Sequence, residues 1–222
     1  MFYFVFQSTF IMKNNSESIE DIKTIRKMME ESSRFLSLSG LSGVSAGIFA
    51  IAGAIVAYFL VLNNGSINYD EYFRSLSEKE IHSIRLQLIA DAVCVLVLSL
   101  LFSLYFSIKK ARREGKHFRS PVSKRLLINL FIPLITGGIF IIVLLIRNHM
   151  QLIVPGLLIF YGLALINAAK FTYDEVFYLG ILEIITGLVS AFFSGWGIIL
   201  WIIGFGILHI VYGVAMYRKY EI

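Results

Sequence analysis

Apolar residues gather along this chain into six long runs, 41–62, 86–108, 126–146, 152–169, 176–193 and 196–217, separated by short polar segments. A helix needs about 20 apolar residues to cross a hydrocarbon core about 30 Å thick, and every run meets or approaches that length. The fourth and fifth runs are the shortest, at 18 residues each. With tight turns beside them, they predict steep, closely packed helices. The pattern predicts an all-α, polytopic membrane bundle of six transmembrane helices, built as hairpins at 40–108, 124–170 and 174–219.

Ahead of the first run the pattern changes. Ile22, Ile25, Met29 and Leu36 recur at helical spacing, with Lys23, Arg26, Lys27, Glu30 and Glu31 on the other faces. Ser18 is placed to cap this segment and Asp21, three residues on, to answer it. An N-terminal amphipathic helix over 16–39, lying in the cytoplasmic interface, is expected. The tail 1–15 contains an apolar stretch too short to span, and Lys13 follows that stretch, the wrong order for a signal peptide. Met12 is an alternative start. Between the first two runs, Ser77 three residues before Glu80 predicts a capped helix beginning.

Composition excludes a water-soluble globule: 57% of residues are hydrophobic and only 16% charged, too few to cover a water-facing surface. The net charge of +5 would suggest nucleic acid in a soluble protein. Here the basic residues lie between apolar runs, so lipid headgroups are the expected partner and nucleic acid is not. If the N-terminus is inside, sixteen Lys and Arg fall on inner segments and four on outer ones, which predicts that both termini are cytoplasmic. The densest cluster, a basic loop over 109–125, carries eight positive charges and one acid, Glu114, and reads as an anchor on anionic headgroups. The single cysteine, Cys94, reads as a small core residue.

Spans three and four read as a copy of spans five and six. Leu134-Ile135-Thr136-Gly137 matches Ile184-Ile185-Thr186-Gly187 at an offset of fifty, and Ile159 to Leu165 matches Ile210 to Met216 at fifty-one. Mismatches within a repeat are informative: Glu183 stands where Pro133 is, and His209 where Leu158 is. Both are ionisable groups at membrane depth, where an unpaired charge costs about 2.5 to 3.5 kcal/mol on insertion scales. Counted from the turn between their spans they fall at one level, so they are expected to face each other in the cytoplasmic half. Burial opposes the charged form of each and their mutual attraction favours it. Gly180, Glu183, Gly187 and Ser190 share one helical stripe and Gly206, His209, Tyr212 and Gly213 another, which predicts a close hairpin of spans five and six with a polar seam.

Tyr212, Asn129 and Asn167 are added to this intramembrane site, the two asparagines because they lie near the inner ends of their spans. Asp91 enters the second span near its outer end and marks an outer vestibule. Pro133 and Pro155 each remove a backbone hydrogen bond, which permits kinks and exposed carbonyls. Gly40, Gly43 and Gly47 give the first span a small-residue face for close helix packing. The Gly40-Leu41-Ser42-Gly43 string matches the nucleophile motif of rhomboid proteases, but it sits on the wrong span and side for that chemistry. No metal-ligand spacing, phosphate-binding loop or paired-carboxylate arrangement is present, so no cofactor, metal or catalytic residue is expected.

Through Trp201 to Gly213 (WIIGFGILHIVYG) and Ser37 to Gly43 (SLSGLSG) the chain resembles small six-span inner-membrane proteins of bacteria. Its glycine-spaced later hairpins are similar to the acid-resistance six-span family. Neither resemblance implies an active site on these residues. Passage or sensing of a proton or small solute through the polar site is the expected function. The alternative is a scaffold or accessory subunit that binds a membrane partner, or its own copy, through span one and the N-terminal helix.

Overall fold

The computed structural model describes residues 37–61, 77–115 and 121–222, and all regular structure in them is helical. The tail 1–15 and nearly all of the expected amphipathic helix lie outside the described residues. Among the described residues six helices are long and apolar enough to cross a membrane, as in a multi-pass membrane protein. They are α1 (Gly40–Val56), continued by a π-helical turn (Ala57–Val61), α2 (Glu78–Arg113), α3 (Pro121–Ile146), α4 (Ile153–Ala169), α5 (Asp174–Phe192) and α6 (Gly197–Tyr220). The middle of α6, Ile202–Leu208, is itself π-helical.

Helix α2 begins where the sequence places it: the Glu80 carboxylate accepts the Ser77 backbone N–H at 2.9 Å. It runs for 36 residues, about 54 Å, longer than a bilayer core. The basic stretch 109–113 therefore finishes this helix and Lys124 and Arg125 lie inside α3, so both ends of the expected loop over 109–125 are helical. Pro155 sits in the first turn of α4, where its missing N–H leaves nothing unsatisfied. Cys94 is exposed on α2 and is not in the core. The reason is that α2 packs chiefly on α1 and otherwise turns outward. Leu96, Leu100, Leu101 and Tyr105 are more than half exposed, as are Ile132, Ile139 and Ile142 on α3, an apolar surface suited to lipid.

Neighbouring helices follow the order α2, α1, α6, α5, α4, α3. Two glycine seams hold the centre of this row. In one, α1 meets α6: a Cβ on Gly47 would fall 2.5 Å from the Gly206 carbonyl and 2.6 Å from Ile210, and a Cβ on Gly213 would fall 2.5 Å from the Gly40 carbonyl. In the other, α4 meets α5: Gly162 and Gly180 each approach the other's carbonyl, at 2.5 and 2.8 Å from the added Cβ. Gly40 and Gly47, Gly206 and Gly213, and Gly180 and Gly187 are each seven residues apart, a period that keeps small residues on one seam between helices crossing at a shallow angle.

The small-residue stripes are thus interfaces, but with different partners from those expected. The α5 stripe packs on α4 and the α6 stripe on α1, not on each other. The glycines lie about 60° around each helix from the polar residue three positions on, so one helix meets two neighbours with two faces. The repeat holds locally: Thr136 and Thr186 hydroxyls donate to the carbonyls four residues back, Ile132 and Leu182, both at 2.8 Å.

Where α2 ends, the chain is tied by charges at least partly buried. The Glu221 carboxylate accepts the Gly40 backbone N–H at 2.6 Å and the Ser39 hydroxyl at 3.2 Å, placing an anion at the N-terminus of α1 where the free N–H groups favour one. Lys110, buried, donates to the Leu38 carbonyl at 2.8 Å and stands 3.6 Å from Glu221. A residue read as a headgroup anchor is therefore an internal clamp on α1, α2 and the end of α6. Burial and the nearby Glu114 carboxylate hold the Tyr173 phenol well above its usual range, so it remains a protonated donor.

Candidate functional site

Glu183 stands nine residues from either end of α5 and is completely buried; His209, near the middle of α6, is 5% exposed. They meet: His209 Nδ1 lies 3.2 Å from Glu183 Oε1. The pair sits at mid-span and not in the basic half, because α5 extends as far on one side of Glu183 as on the other.

His209 Nδ1 is also 3.2 Å from the Gly204 carbonyl, and Nε2 is 2.8 Å from the Tyr161 hydroxyl. A carbonyl and a carboxylate can only accept, so Nδ1 carries hydrogen in either protonation state. Nε2 then accepts from Tyr161 in the neutral ring and donates to it in the imidazolium. The hydrogen-bond geometry at Nδ1 favours the carbonyl, and among the described residues neither Glu183 oxygen has a hydrogen bond. A carboxylate buried this way is costly unless it is protonated or balanced by a neighbouring cation. Two arrangements leave the pair without net charge, the acid with a neutral imidazole and the carboxylate with an imidazolium.

Three features of α6 shape this arrangement. The π-helical turn Ile202–Leu208 ends at His209, and such wide turns redirect side chains and free carbonyls at functional sites. The repeat offset grows by one residue across this hairpin, as a helix absorbing one extra residue requires. Gly204 brings its backbone against the carboxylate: a Cβ there would fall 2.8 Å from Glu183 Oε2 and collide with Leu158. Finally, Phe205 packs on Tyr161 (ring centroids 5.4 Å apart) and on Trp201 (4.7 Å), and Tyr161 stacks over His209 at 5.4 Å. Trp201 Nε1 in turn donates to the Ala50 carbonyl of α1 at 3.1 Å. Ser190, two turns beyond Glu183 on the same face, is fully buried, and its hydroxyl has no partner among the described residues.

The other expected residues distribute as follows. Tyr212 packs on Gly43 of α1 and joins a buried tyrosine-rich cluster; it makes no hydrogen bond to His209. Asn129 donates to the Arg125 carbonyl of its own helix at 2.9 Å, and Asn167 accepts from Lys170 at 3.4 Å; these contacts lie away from Glu183. Asp91 is at the α1–α2 interface, its Oδ2 facing Gly53, 3.3 Å from where a Cβ would stand. Gly40, Gly43 and Gly47 face α6. Tyr161 is the residue that sequence reasoning missed. The repeat held the signal, since Tyr161 is the counterpart of Tyr212 and Leu158, which closes the site beside Gly204, the counterpart of His209. Among the described residues no three His, Cys, Asp or Glu come together as metal ligands.

No family model matches the chain, and no curated protein or solved structure does either.

Proposed function

We propose that this is a non-enzymatic, multi-pass protein of a bacterial inner membrane that passes protons through Glu183, His209 and Tyr161. One observation carries the reading: a fully buried carboxylate, without a hydrogen bond, 3.2 Å from an imidazole whose other nitrogen meets a phenol. Structural glue has no need of an ionisable pair, since hydroxyls and amides cross-link membrane helices without a charge to neutralise. Packing this close suits a proton, which needs no open channel to cross between groups 3.2 Å apart. The charge asymmetry supports cytoplasmic termini, and hence a basic face on the cytoplasmic side. The scaffold alternative loses its main support, because the small-residue face of α1 is occupied by the chain's own α6.

Proton flux into liposomes, driven by a potassium diffusion potential and followed with an entrapped pH dye, tests this. Wild-type protein is expected to conduct above empty vesicles and Glu183→Gln to lose at least nine-tenths of that flux. Equal flux from the two proteins would overturn the proposal.

A further inference from the structure

From His209 to the C-terminal end of α6 the molecule gathers four tyrosines. Tyr161 holds Nε2 of the imidazole at 2.8 Å. Tyr161, Tyr212 and Tyr220 all pack against one buried cluster that contains Tyr173 and Met216. The Tyr173 and Tyr220 rings are 4.3 Å apart, and the Tyr220 hydroxyl meets both Glu175 oxygens at 3.2 Å. Glu175 in turn pairs with Lys219 at 2.6 Å, and the Lys219 side chain is 62% exposed.

The column also has the right length. From His209 to Tyr220 is eleven residues of α6, about 16 Å, which is half of a hydrocarbon core. Between a proton at mid-span and the basic face thus lies a cluster of four tyrosines. We infer that protons exchange between the Glu183–His209 site and that face along Tyr161, Tyr212, Tyr173 and Tyr220, with Glu175 as the surface acceptor and Tyr212 as the middle link; this rests on the proton reading above.

Phenols suit the task because each hydroxyl both donates and accepts. As the Nε2–H bond of the imidazolium breaks, a new O–H bond forms on Tyr161, and the hydrogen that Tyr161 already held passes on toward Tyr212. Every phenol is neutral before and after, so no charge rests at depth. Where two hydroxyls do not touch, one bridging water completes the step. At the end the Glu175 carboxylate takes the proton and releases it to solvent.

Packing alone would also place tyrosines here, so the test removes hydroxyls and keeps rings. In the same liposome assay Tyr212→Phe and Tyr220→Phe are each expected to cut proton flux at least tenfold with unchanged melting temperature, while Tyr217→Phe, on the exposed side of α6, conducts as wild type. If Glu183→Gln abolishes flux but Tyr212→Phe and Tyr220→Phe both conduct normally, the route is wrong and the proton reading stands. If Glu183→Gln conducts as wild type, or if wild type does not exceed empty vesicles, the reading falls and the route with it.

Discussion

Glu183 and His209 were legible in the sequence because ionisable side chains at membrane depth are rare enough to stand out. Tyr161 was not, because a tyrosine within an apolar run breaks no rule, and its partner is 48 residues away in sequence. Asn129 and Asn167 show the opposite failure. Depth along a span is readable from the chain, but the direction a side chain faces depends on which neighbour its helix meets. The geometry predicts a specific coupling at this scale. His209→Leu, which restores the residue found in the other repeat copy, leaves Glu183 buried alone and Tyr161 without its acceptor, at a cost of about 1–2 kcal/mol. Adding Glu183→Leu should recover most of that loss, since replacing both partners removes the unpaired charge. Denaturation of the two single variants and the double variant checks this, and strictly additive losses would show that the pair is not coupled.

Run length was enough to find six helices, because crossing a bilayer demands it. Neighbour order was not readable. A stripe of glycines says that something packs closely there but not which helix does, and both α5 and α6 turn their glycines to one partner and their polar residue to another. The π-helical turn in α6 adds a phase shift that a uniform helical period does not contain. The seams can be tested by contrasting two glycines. Gly47→Ala drives a methyl against the Gly206 carbonyl and Ile210, whereas a methyl at Gly138 meets nothing within 4 Å. Gly47→Ala is expected to cost about 1–3 kcal/mol, and Gly138→Ala to leave the melting temperature unchanged or slightly raised. Equal effects would contradict the α1–α6 seam.

Across the whole molecule, the chain brings its first and last described helices together. Glu221 caps α1, Lys110 clamps both from α2, and the glycine seam runs inward from there to His209. This closure puts α6 between α1 and α5 and sets His209 against Glu183. The buried pair is thus a product of the global packing, which is why local sequence pattern could name its members but not its third one. In the proposed function this pair takes up and releases a proton inside the closed bundle. Infrared difference spectroscopy of the purified protein in lipid nanodiscs, titrated from alkaline to acid pH, reads carboxyl protonation directly. Wild type should gain a protonated-carboxyl band that is missing in Glu183→Gln. Superimposable wild-type and Glu183→Gln spectra throughout the titration would contradict the claim.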